Sequence, residues 1–115
     1  MIEFPKRGEI WLVRLDPAEG AEIKKTRPAL IISNDINNQY SSLITVLPIS
    51  DKGSKVYPFE VEIPYPSPGL TKPSKIRCQQ IRAVDTVRLI KKLSNHDTSL
   101  KPKIEFALKI HLGMP

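Results

Sequence analysis

Two side chains, Arg27 and Ser50, lie at the ends of predicted strands, and both could contact a phosphate group. Arg27 follows Lys24-Lys25-Thr26 and precedes the apolar run Pro28–Ile32, so a rigid strand start would hold its guanidinium. A guanidinium stays protonated at any working pH and can bind phosphate oxygens in bidentate fashion. Ser50 follows the run Leu43–Ile49 and offers a hydroxyl group. From sequence alone, a solvated charge at Arg27 and turn chemistry at Ser50 are the commoner interpretations.

RNA cleavage is a reaction that such a pair could serve with little further apparatus. The substrate's own 2′-hydroxyl can attack the adjacent phosphorus once its proton is removed, so a metal ion is optional. The protein must supply a proton acceptor, a donor for the leaving 5′-oxygen and positive charge for the transition state. The sequence offers the positive charge, but the acceptor and the donor are hard to identify.

Other chemistries find little support in the sequence. The two histidines, His96 and His111, lie in the C-terminal segment, and His111 falls on a predicted apolar helix face, where we expect a structural role. No His-x-x-x-His or Cys-x-x-Cys spacing occurs, so neither a metal nor another cofactor is predicted. Cys78 is the only cysteine, which excludes an intrachain disulfide, and it has no adjacent base to make it a nucleophile.

The balance of charge favours an anionic partner. Lys and Arg number 18 against 12 Asp and Glu, which gives a formal net charge of +6. Such a surface attracts polyanions, above all nucleic acid, although a basic soluble protein without such a partner fits the same charge. The length predicts a single domain over residues 1–115. With neither a signal peptide nor a run of ~18 apolar residues, we expect a cytoplasmic protein without a membrane anchor.

Short strands dominate the predicted structure, because eleven prolines and five glycines would interrupt helices frequently. Segments 16–26, 51–57 and 64–73 predict surface loops, the first of them long and mobile, and Ser33–Asn38 predicts a turn. Apolar runs bounded by turn residues predict strands at Glu9–Leu15, Pro28–Ile32, Leu43–Ile49, Val56–Ile63 and Ser74–Gln80, with a short strand or turn at Val84–Leu89. In Val56–Ile63, the more polar face would consist of Val56, Pro58 and Glu60.

One helix is predicted at Pro102–Leu112, where Pro102 suits the first turn and Gly113 suits the stop. Phe106 and Ile110 form a second apolar pair, which would pack either within the domain or against a second subunit. The sequence therefore predicts a mainly β (α+β) fold, a small closed or nearly closed barrel with the helix packed on it. The apolar helix face would comprise Ile104, Ala107, Leu108, His111 and Leu112.

Six short motifs follow one another over residues 6 to 93. Each is weak alone, but all six in order and register are specific, and the combination resembles the MazF/PemK toxins of type II toxin–antitoxin systems. The motifs are Arg7-Gly8-Glu9-Ile10-Trp11, Leu15-Asp16-Pro17-x-x-Gly20-x-Glu22, Thr26-Arg27-Pro28-Ala29-Leu30-Ile31-Ile32-Ser33-Asn34-Asp35, Thr45-Val46-Leu47-Pro48-Ile49-Ser50, Tyr57-Pro58-Phe59-Glu60-Val61 and Gln79-Gln80-Ile81-Arg82-Ala83-Val84-Asp85.

The resemblance implies an SH3-like barrel of the CcdB/PemK kind and a homodimer that binds RNA across its interface. It implies sequence-specific, metal-independent cleavage of single-stranded mRNA to 2′,3′-cyclic phosphate and 5′-hydroxyl ends, and inhibition by the tail of a cognate antitoxin. It places the catalytic pair on Arg27 and Ser50. Our hypothesis is that Arg27 stabilises the phosphorane charge, with transfer of a proton to the leaving oxygen as an additional role to test, while Ser50 orients the phosphate. Most family members carry Thr at the position of Ser50, and Ser keeps the hydroxyl.

Further candidates surround this pair. Glu22 could act as the general base if its loop reaches the 2′-hydroxyl, and a solvated loop charge is an equal alternative. Tyr57 and Tyr65 could stack on bases, each contributing ~1–3 kcal/mol, whereas Phe59 is expected in the core. The residues predicted to bind RNA are Lys24, Lys25, Thr26, Lys52, Tyr57, Gln79, Gln80 and Arg82; the two glutamines could equally be exposed and idle.

Two other functions are compatible with such a barrel. A non-catalytic SH3-like module would bind nucleic acid without cutting it, and a toxin resembling the gyrase poison CcdB would act on a protein. Arg27 and Ser50, within their full motif context, favour the nuclease.

Overall fold

Seven antiparallel strands and two α-helices make up the part of the chain that the structure, a computed structural model, describes, namely residues 3–95 and 99–115. Two short 3-10 turns, Cys78–Gln80 and Thr86–Arg88, join some of the strands. None of the helices in these two segments has the length and apolarity that a bilayer crossing requires. The elements are β1 (Ile10–Arg14), β2 (Thr26–Ile31), α1 (Asp35–Tyr40), β3 (Leu43–Asp51), β4 (Glu60–Ile63), β5 (Ser74–Arg77), β6 (Arg82–Asp85), β7 (Leu89–Ser94) and α2 (Lys101–Leu112).

The long strand β3 organises the sheet, whose strand order is β4-β5-β3-β2-β1-β7. One edge of β3 pairs with β2 over Val46–Pro48, and its other edge is shared between β6 over Leu43–Val46 and β5 over Ile49–Asp51. Within the described residues no ladder joins β4 to β7, so the sheet is not closed. The predicted mainly β fold with a C-terminal helix is confirmed, in its open rather than its closed form.

Because side chains alternate along a strand, the sheet buries apolar residues on both of its faces. One core lies beneath α2 and the other lies on the opposite face, toward β1 and β6. The first contains Leu30, Leu47, Ile49, Val61, Ile63, Ile76, Cys78 and Ala107; the second contains Val13, Leu15, Ala29, Ile31, Ile44, Val46 and Val84.

Helix α2 begins and ends as predicted, with Pro102 in its first turn and Gly113 in the left-handed conformation (φ 68°) after its last residue. Its buried stripe is shorter than predicted. Ala107 is buried, whereas Leu112 is 52% exposed and His111 is also exposed. The twelve-residue helix is about 18 Å long, whereas the four-residue β4 beneath it spans only about 13 Å, so its last turn has little sheet to cover.

The predicted turn at Ser33–Asn38 is instead the start of helix α1. Asn34 caps this helix, since its side-chain oxygen accepts a hydrogen bond from the backbone N–H of Asn37 at 2.8 Å. Asn38 is buried and donates its amide to the Ser33 carbonyl at 2.9 Å. Residues that favour turns through local hydrogen bonds also favour helix caps, and here the cap prevails.

Three strand predictions need correction. The predicted Val56–Ile63 strand is regular only over Glu60–Ile63, and Glu60, assigned to its more polar face, is buried. Ser74–Gln80 leaves the sheet after Arg77, because Cys78–Gln80 form a 3-10 turn that contacts α2. The edge strand β7 was not predicted beyond Leu89, because the exposed Lys91 and Lys92 interrupt the apolar residues of this segment.

The loop 64–73 is packed tightly against β7 at Gly69. This residue has a φ of 82°, and a Cβ placed on it would lie 2.6 Å from the carbonyl oxygen of Leu93. Both the backbone conformation and the close approach therefore require glycine.

Replacing Gly69 with Ala should destabilise the protein through both effects. The left-handed backbone costs ~1–2 kcal/mol for a residue with a Cβ, and the steric overlap adds ~1–3 kcal/mol. Gly53→Ala is the matched control, because Gly53 has a φ of 66° and nothing within 4 Å of the added Cβ. Urea unfolding of both variants measures the difference, and equal losses would contradict the close packing of the loop on β7.

Candidate functional site

The structure brings together Arg27 and Ser50, the two residues predicted to be catalytic. Strands β2 and β3 pair Leu30 with Leu47 and Ala29 with Pro48, and the same register continued by two residues sets Arg27 opposite Ser50. Both side chains are partly buried, and both line an open cavity of about 520 Å³. A phosphate in this cavity could therefore contact both side chains.

This cavity continues on both sides along the surface. Arg27 and Ser50 also border a second cavity of about 350 Å³, which Thr26 and residues 69–72 of the loop also line. Glu22 borders the first cavity and a third one of about 200 Å³, which Gln79, Gln80 and Arg82 line. Because neighbouring cavities share lining residues, the three are hereafter called the groove, with Arg27 and Ser50 near its middle.

Hydrogen bonds fix the start of β2 and with it the guanidinium of Arg27. The Nε of Arg27 donates to the Lys24 carbonyl at 3.0 Å. Lys25 adopts a φ of 70°, and its backbone N–H donates to Asp16 Oδ1 at 2.9 Å while its carbonyl accepts from the Leu15 N–H at 2.9 Å. No residue of 3–95 or 99–115 accepts a hydrogen bond from the Arg27 Nη groups, so the outer edge of the fork is available to a ligand.

The loop 16–26, predicted to be mobile, is fastened to the rest of the domain. Gln80 donates its Nε2 to the Ala21 carbonyl at 3.1 Å and accepts the Ile23 N–H at 3.3 Å. Arg82 Nη1 donates to the Leu15 carbonyl at 3.1 Å. Gln80 and Arg82, predicted to bind RNA, thus also hold the wall of the groove, which the sequence did not reveal.

The remaining candidates differ in their surroundings. Glu22 is exposed, and its Oε1 accepts the Glu19 N–H at 2.7 Å. Ser50 Oγ donates to the Asp51 carbonyl at 3.2 Å, a weak bond that a phosphate could replace. Lys24 and Lys25 are exposed on the wall of the groove, and Lys52 Nζ lies 3.6 Å from Glu62 Oε2.

Tyr57 stands apart from the residues that line the groove. Its ring is 42% exposed and stacks on Phe59, with 5.5 Å between centroids and 2° between planes, and Lys55 Nζ lies 4.6 Å from the Tyr57 centroid. Phe59 was expected in the core but is only partly buried, because its ring packs between Tyr57 and His111 (6.4 Å between centroids). Tyr65 is 51% exposed.

Sequence reasoning missed a buried carboxylate, Glu60, that holds two basic side chains. Glu60 Oε1 accepts from Lys75 Nζ at 2.9 Å and from the Tyr57 N–H at 3.1 Å. Its Oε2 accepts from Gln79 Nε2 at 2.7 Å and lies 3.1 Å from Arg77 Nε. Burial acts to raise the pKa of Glu60, but these hydrogen bonds outweigh it and lower the pKa below its usual value.

Arg77 is the functional candidate that sequence reasoning did not name. It lines the 520 Å³ cavity with Arg27 and Ser50. The signal lay in the alternation Ser74-Lys75-Ile76-Arg77, which sets Lys75 and Arg77 on one face of a strand and Ser74 and Ile76 on the other.

Among the residues that the structure describes, no cysteine or histidine lines the groove. Cys78 is buried in the core beneath α2, where burial, followed by the charge of Glu60, raises the pKa of its thiol to about 11. His111 lies against Phe59 on the opposite side of the sheet from Ser50, and His96 lies outside the described residues. Among residues 3–95 and 99–115, no three His, Cys, Asp or Glu side chains cluster as metal ligands would.

Residues 6–112 match the family described as PemK-like, MazF-like toxins of type II toxin–antitoxin systems. The chain belongs to this family. Endoribonuclease MazF9 of Mycobacterium tuberculosis is 38% identical over 114 residues, which cover 95% of this chain and 97% of that protein. Endoribonuclease EndoA of Bacillus subtilis is 36% identical over 110 residues, or 95% of each chain.

Solved structures of MazF proteins share the fold. MazF of Deinococcus radiodurans superposes with a TM-score of 0.84 at 24% identity, covering 98% of this chain and all of that one. A mycobacterial endoribonuclease in complex with its cognate antitoxin gives 0.78 at 23% identity, covering 96% of this chain and 97% of that one. The open sheet with its C-terminal helix is therefore the MazF fold.

The lowered pKa of Glu60 predicts how the stability of this MazF-family protein depends on pH. A carboxyl with a depressed pKa in the folded state stabilises that state above its unfolded pKa, near 4.5, and loses this contribution as pH falls through the folded value. The wild-type protein should therefore have a larger free energy of unfolding than Glu60→Gln, and this difference should be greatest at pH 7. The difference should become smaller below about pH 4.5.

Urea unfolding between pH 7 and pH 3 measures this gap. The control is Glu62→Gln, which removes a carboxylate with a half-exposed side chain from the same strand. If Glu60→Gln and Glu62→Gln follow the same curve, Glu60 is not the stabilising carboxylate that its contacts indicate.

Proposed function

We propose that this chain is the endoribonuclease toxin of a type II toxin–antitoxin module and that it cuts single-stranded mRNA. The observation that carries the proposal is the pairing of Arg27 and Ser50 in the middle of a basic groove. The family and the endoribonuclease names of relatives at 36% and 38% identity support it. The groove is open at the surface, as binding an extended strand requires.

The proposed reaction uses the nucleophile that the RNA brings. The 2′-oxygen attacks the adjacent phosphorus, the bond from phosphorus to the 5′-oxygen breaks, and the products end in 2′,3′-cyclic phosphate and 5′-hydroxyl. Arg27 stabilises the charge that develops on the phosphorane and donates a hydrogen bond to the leaving 5′-oxygen, which takes its proton from water in the open cavity. Ser50 orients the phosphate, and Glu22, on the wall of the same cavity, accepts the 2′-hydroxyl proton.

The RNA strand would follow the groove on both sides of this pair. Lys24, Lys25 and Thr26 lie on its walls beside Arg27, so they are suited to phosphate binding. Gln79, Gln80 and Arg82 lie beyond Glu22, where hydrogen bonds to bases would give sequence preference. Lys52 and Tyr57 would contact the strand only where it leaves the groove.

The proposed partners follow from the family. We propose a homodimer that acts in the cytoplasm and is inhibited by the tail of a cognate antitoxin. The net charge of +6 suits an acidic tail, and solved MazE–MazF structures of similar fold support an antitoxin partner. An antitoxin tail would inhibit most directly by occupying the basic groove, for which an acidic segment is suited.

Purified protein should shorten a mixed RNA transcript in the presence of a chelator, because the proposed reaction needs no metal. The same transcript with 2′-deoxyribose at the mapped cut position should bind and remain whole, since the attacking oxygen is missing. Electrophoresis and sequencing of the ends measure both results. A protein that only shifts intact RNA is a binding module, and cleavage of the 2′-deoxy strand would exclude the internal nucleophile.

Arg27→Ala should lower kcat at least ~100-fold, because it removes a charged donor to the transition state. Its melting temperature should change little, since the side chain is only partly buried and makes one hydrogen bond to the backbone. Lys109→Ala, on the exposed surface of α2, is the control for the loss of one positive charge. Ser50→Thr should keep activity and Ser50→Ala should reduce it; an active Arg27→Ala would remove Arg27 from the mechanism.

A further inference from the structure

The face of the sheet that carries Ser50 continues into basic residues that the proposed mechanism leaves unused. Strand β5 pairs Lys75 with Ser50 of β3 and Arg77 with Glu60 of β4. Paired residues on antiparallel strands point to the same face, and Lys75 and Arg77 are two residues apart. The side chains of Ser50, Lys75, Arg77 and Glu60 therefore share one face of the sheet.

Of the two basic residues, Lys75 is occupied by the protein itself. Its Nζ lies 2.9 Å from Glu60 Oε1, donates to the Lys55 carbonyl at 3.0 Å, and its side chain is only 12% exposed. These contacts leave little room for an RNA phosphate. Lys75 therefore serves mainly to neutralise the buried charge of Glu60.

The guanidinium of Arg77 contacts the protein through Nε, and its Nη groups are available to a ligand. Its Nε lies 3.1 Å from Glu60 Oε2, and its side chain is 29% exposed on the wall of the 520 Å³ cavity. No acceptor for its Nη groups is found within residues 3–95 and 99–115. Arg27 Nε donates a hydrogen bond to the Lys24 carbonyl, whereas Arg77 Nε makes no hydrogen bond within the described residues and is held by its ion pair with Glu60. Both guanidinium groups line one cavity.

The charges around Glu60 leave a positive charge for a ligand. One carboxylate faces Lys75 and Arg77, so the three side chains together carry a net charge of +1. The more exposed of the two cations is Arg77, and a planar fork with free Nη groups binds a phosphate through two parallel hydrogen bonds.

We propose that Arg77 binds an RNA phosphate next to the one held by Arg27 and Ser50, and that Glu60 is the residue that positions its guanidinium. This inference rests on the proposed function. Because Lys75 is the residue opposite Ser50, Arg77 lies two residues, or about 7 Å, further along β5. It therefore reaches a flanking phosphate rather than the reacting one.

Binding of a non-cleavable strand tests the contact apart from catalysis. The cleavage site is first mapped on a long transcript. The probe is a fluorescent oligoribonucleotide that contains this site, with 2′-deoxyribose at the cut position. Arg77→Gln retains a neutral hydrogen-bond donor near Glu60, and it should raise the Kd about tenfold. The slope of log K against log salt should become less negative by about 0.7, the value for one phosphate contact on a single strand.

Lys109→Ala removes the same charge on the exposed surface of α2 and should leave both the Kd and the slope nearly unchanged. With cleavable RNA, Arg77→Gln should raise KM while keeping kcat, because a flanking contact is equally strong in the ground state and the transition state. An unchanged salt slope, or a loss of kcat with KM preserved, would overturn the assignment of Arg77.

The role of Glu60 is decided by the sign of its effect. A carboxylate that acted only by its negative charge would repel RNA, so Glu60→Gln would tighten binding. A carboxylate that positions Arg77 gives the opposite result, and we expect Glu60→Gln to weaken binding several-fold in the wild-type background but not in Arg77→Gln. Tighter binding, or an equal loss in both backgrounds, would refute the positioning role.

These results separate the inference from the proposed function. If the wild-type protein cleaves the transcript and Arg77→Gln binds the probe as the wild type does, only the inference fails. If the wild-type protein neither cleaves nor binds RNA, the proposed function fails first. The melting temperatures of both variants show whether each is folded at the assay temperature.

Discussion

The register between β2 and β3 is the constraint on which the site depends. This register sets Arg27, near the start of β2, opposite Ser50, near the end of β3. A slip by one residue would move one of the two side chains to the opposite face of the sheet, where α2 packs. The register is held by burial, since Ala29, Ile31 and Val46 fill one core while Leu30 and Leu47 fill the other. The stability of both cores thus fixes the geometry of the site.

A second requirement is to keep arginine side chains in place without neutralising them. Arg27 is anchored by a backbone carbonyl and Arg77 by a buried carboxylate, and in both cases the contact is made through Nε. Each anchor reduces the rotamer entropy that would be lost when a phosphate binds. The carboxylate of Glu60 is tolerable in the interior because Lys75 and Gln79 also contact it, and an unpaired charge there would be costly.

Much of this architecture was predictable from local patterns, and the exceptions share a cause. The positions of most strands and the boundaries of α2 follow from apolar runs and the polar residues that end them, whereas the pair Arg27 and Ser50 follows from the resemblance to the MazF/PemK toxins. The burial of Glu60 was not predicted. The alternation of residues along a strand shows which side chains share a face, but it does not show that Lys75 and Arg77 of the later strand β5 cover that face. The functional part of β5 depends on its pairing with β3 and β4, contacts between residues up to 27 positions apart, such as Ile49 and Ile76.

The contacts of Gln79 and Gln80 likewise could not be predicted from the sequence. In sequence, Gln79 and Gln80 are adjacent polar residues that could reach RNA or be idle, and the 3-10 turn sends them to different partners. Gln79 contacts the carboxylate that holds Arg77, and Gln80 bonds to the loop that carries Glu22. One short turn beneath α2 is thereby connected to both walls of the groove. Because α2 packs on this turn, the helix also supports the residues on both walls of the groove.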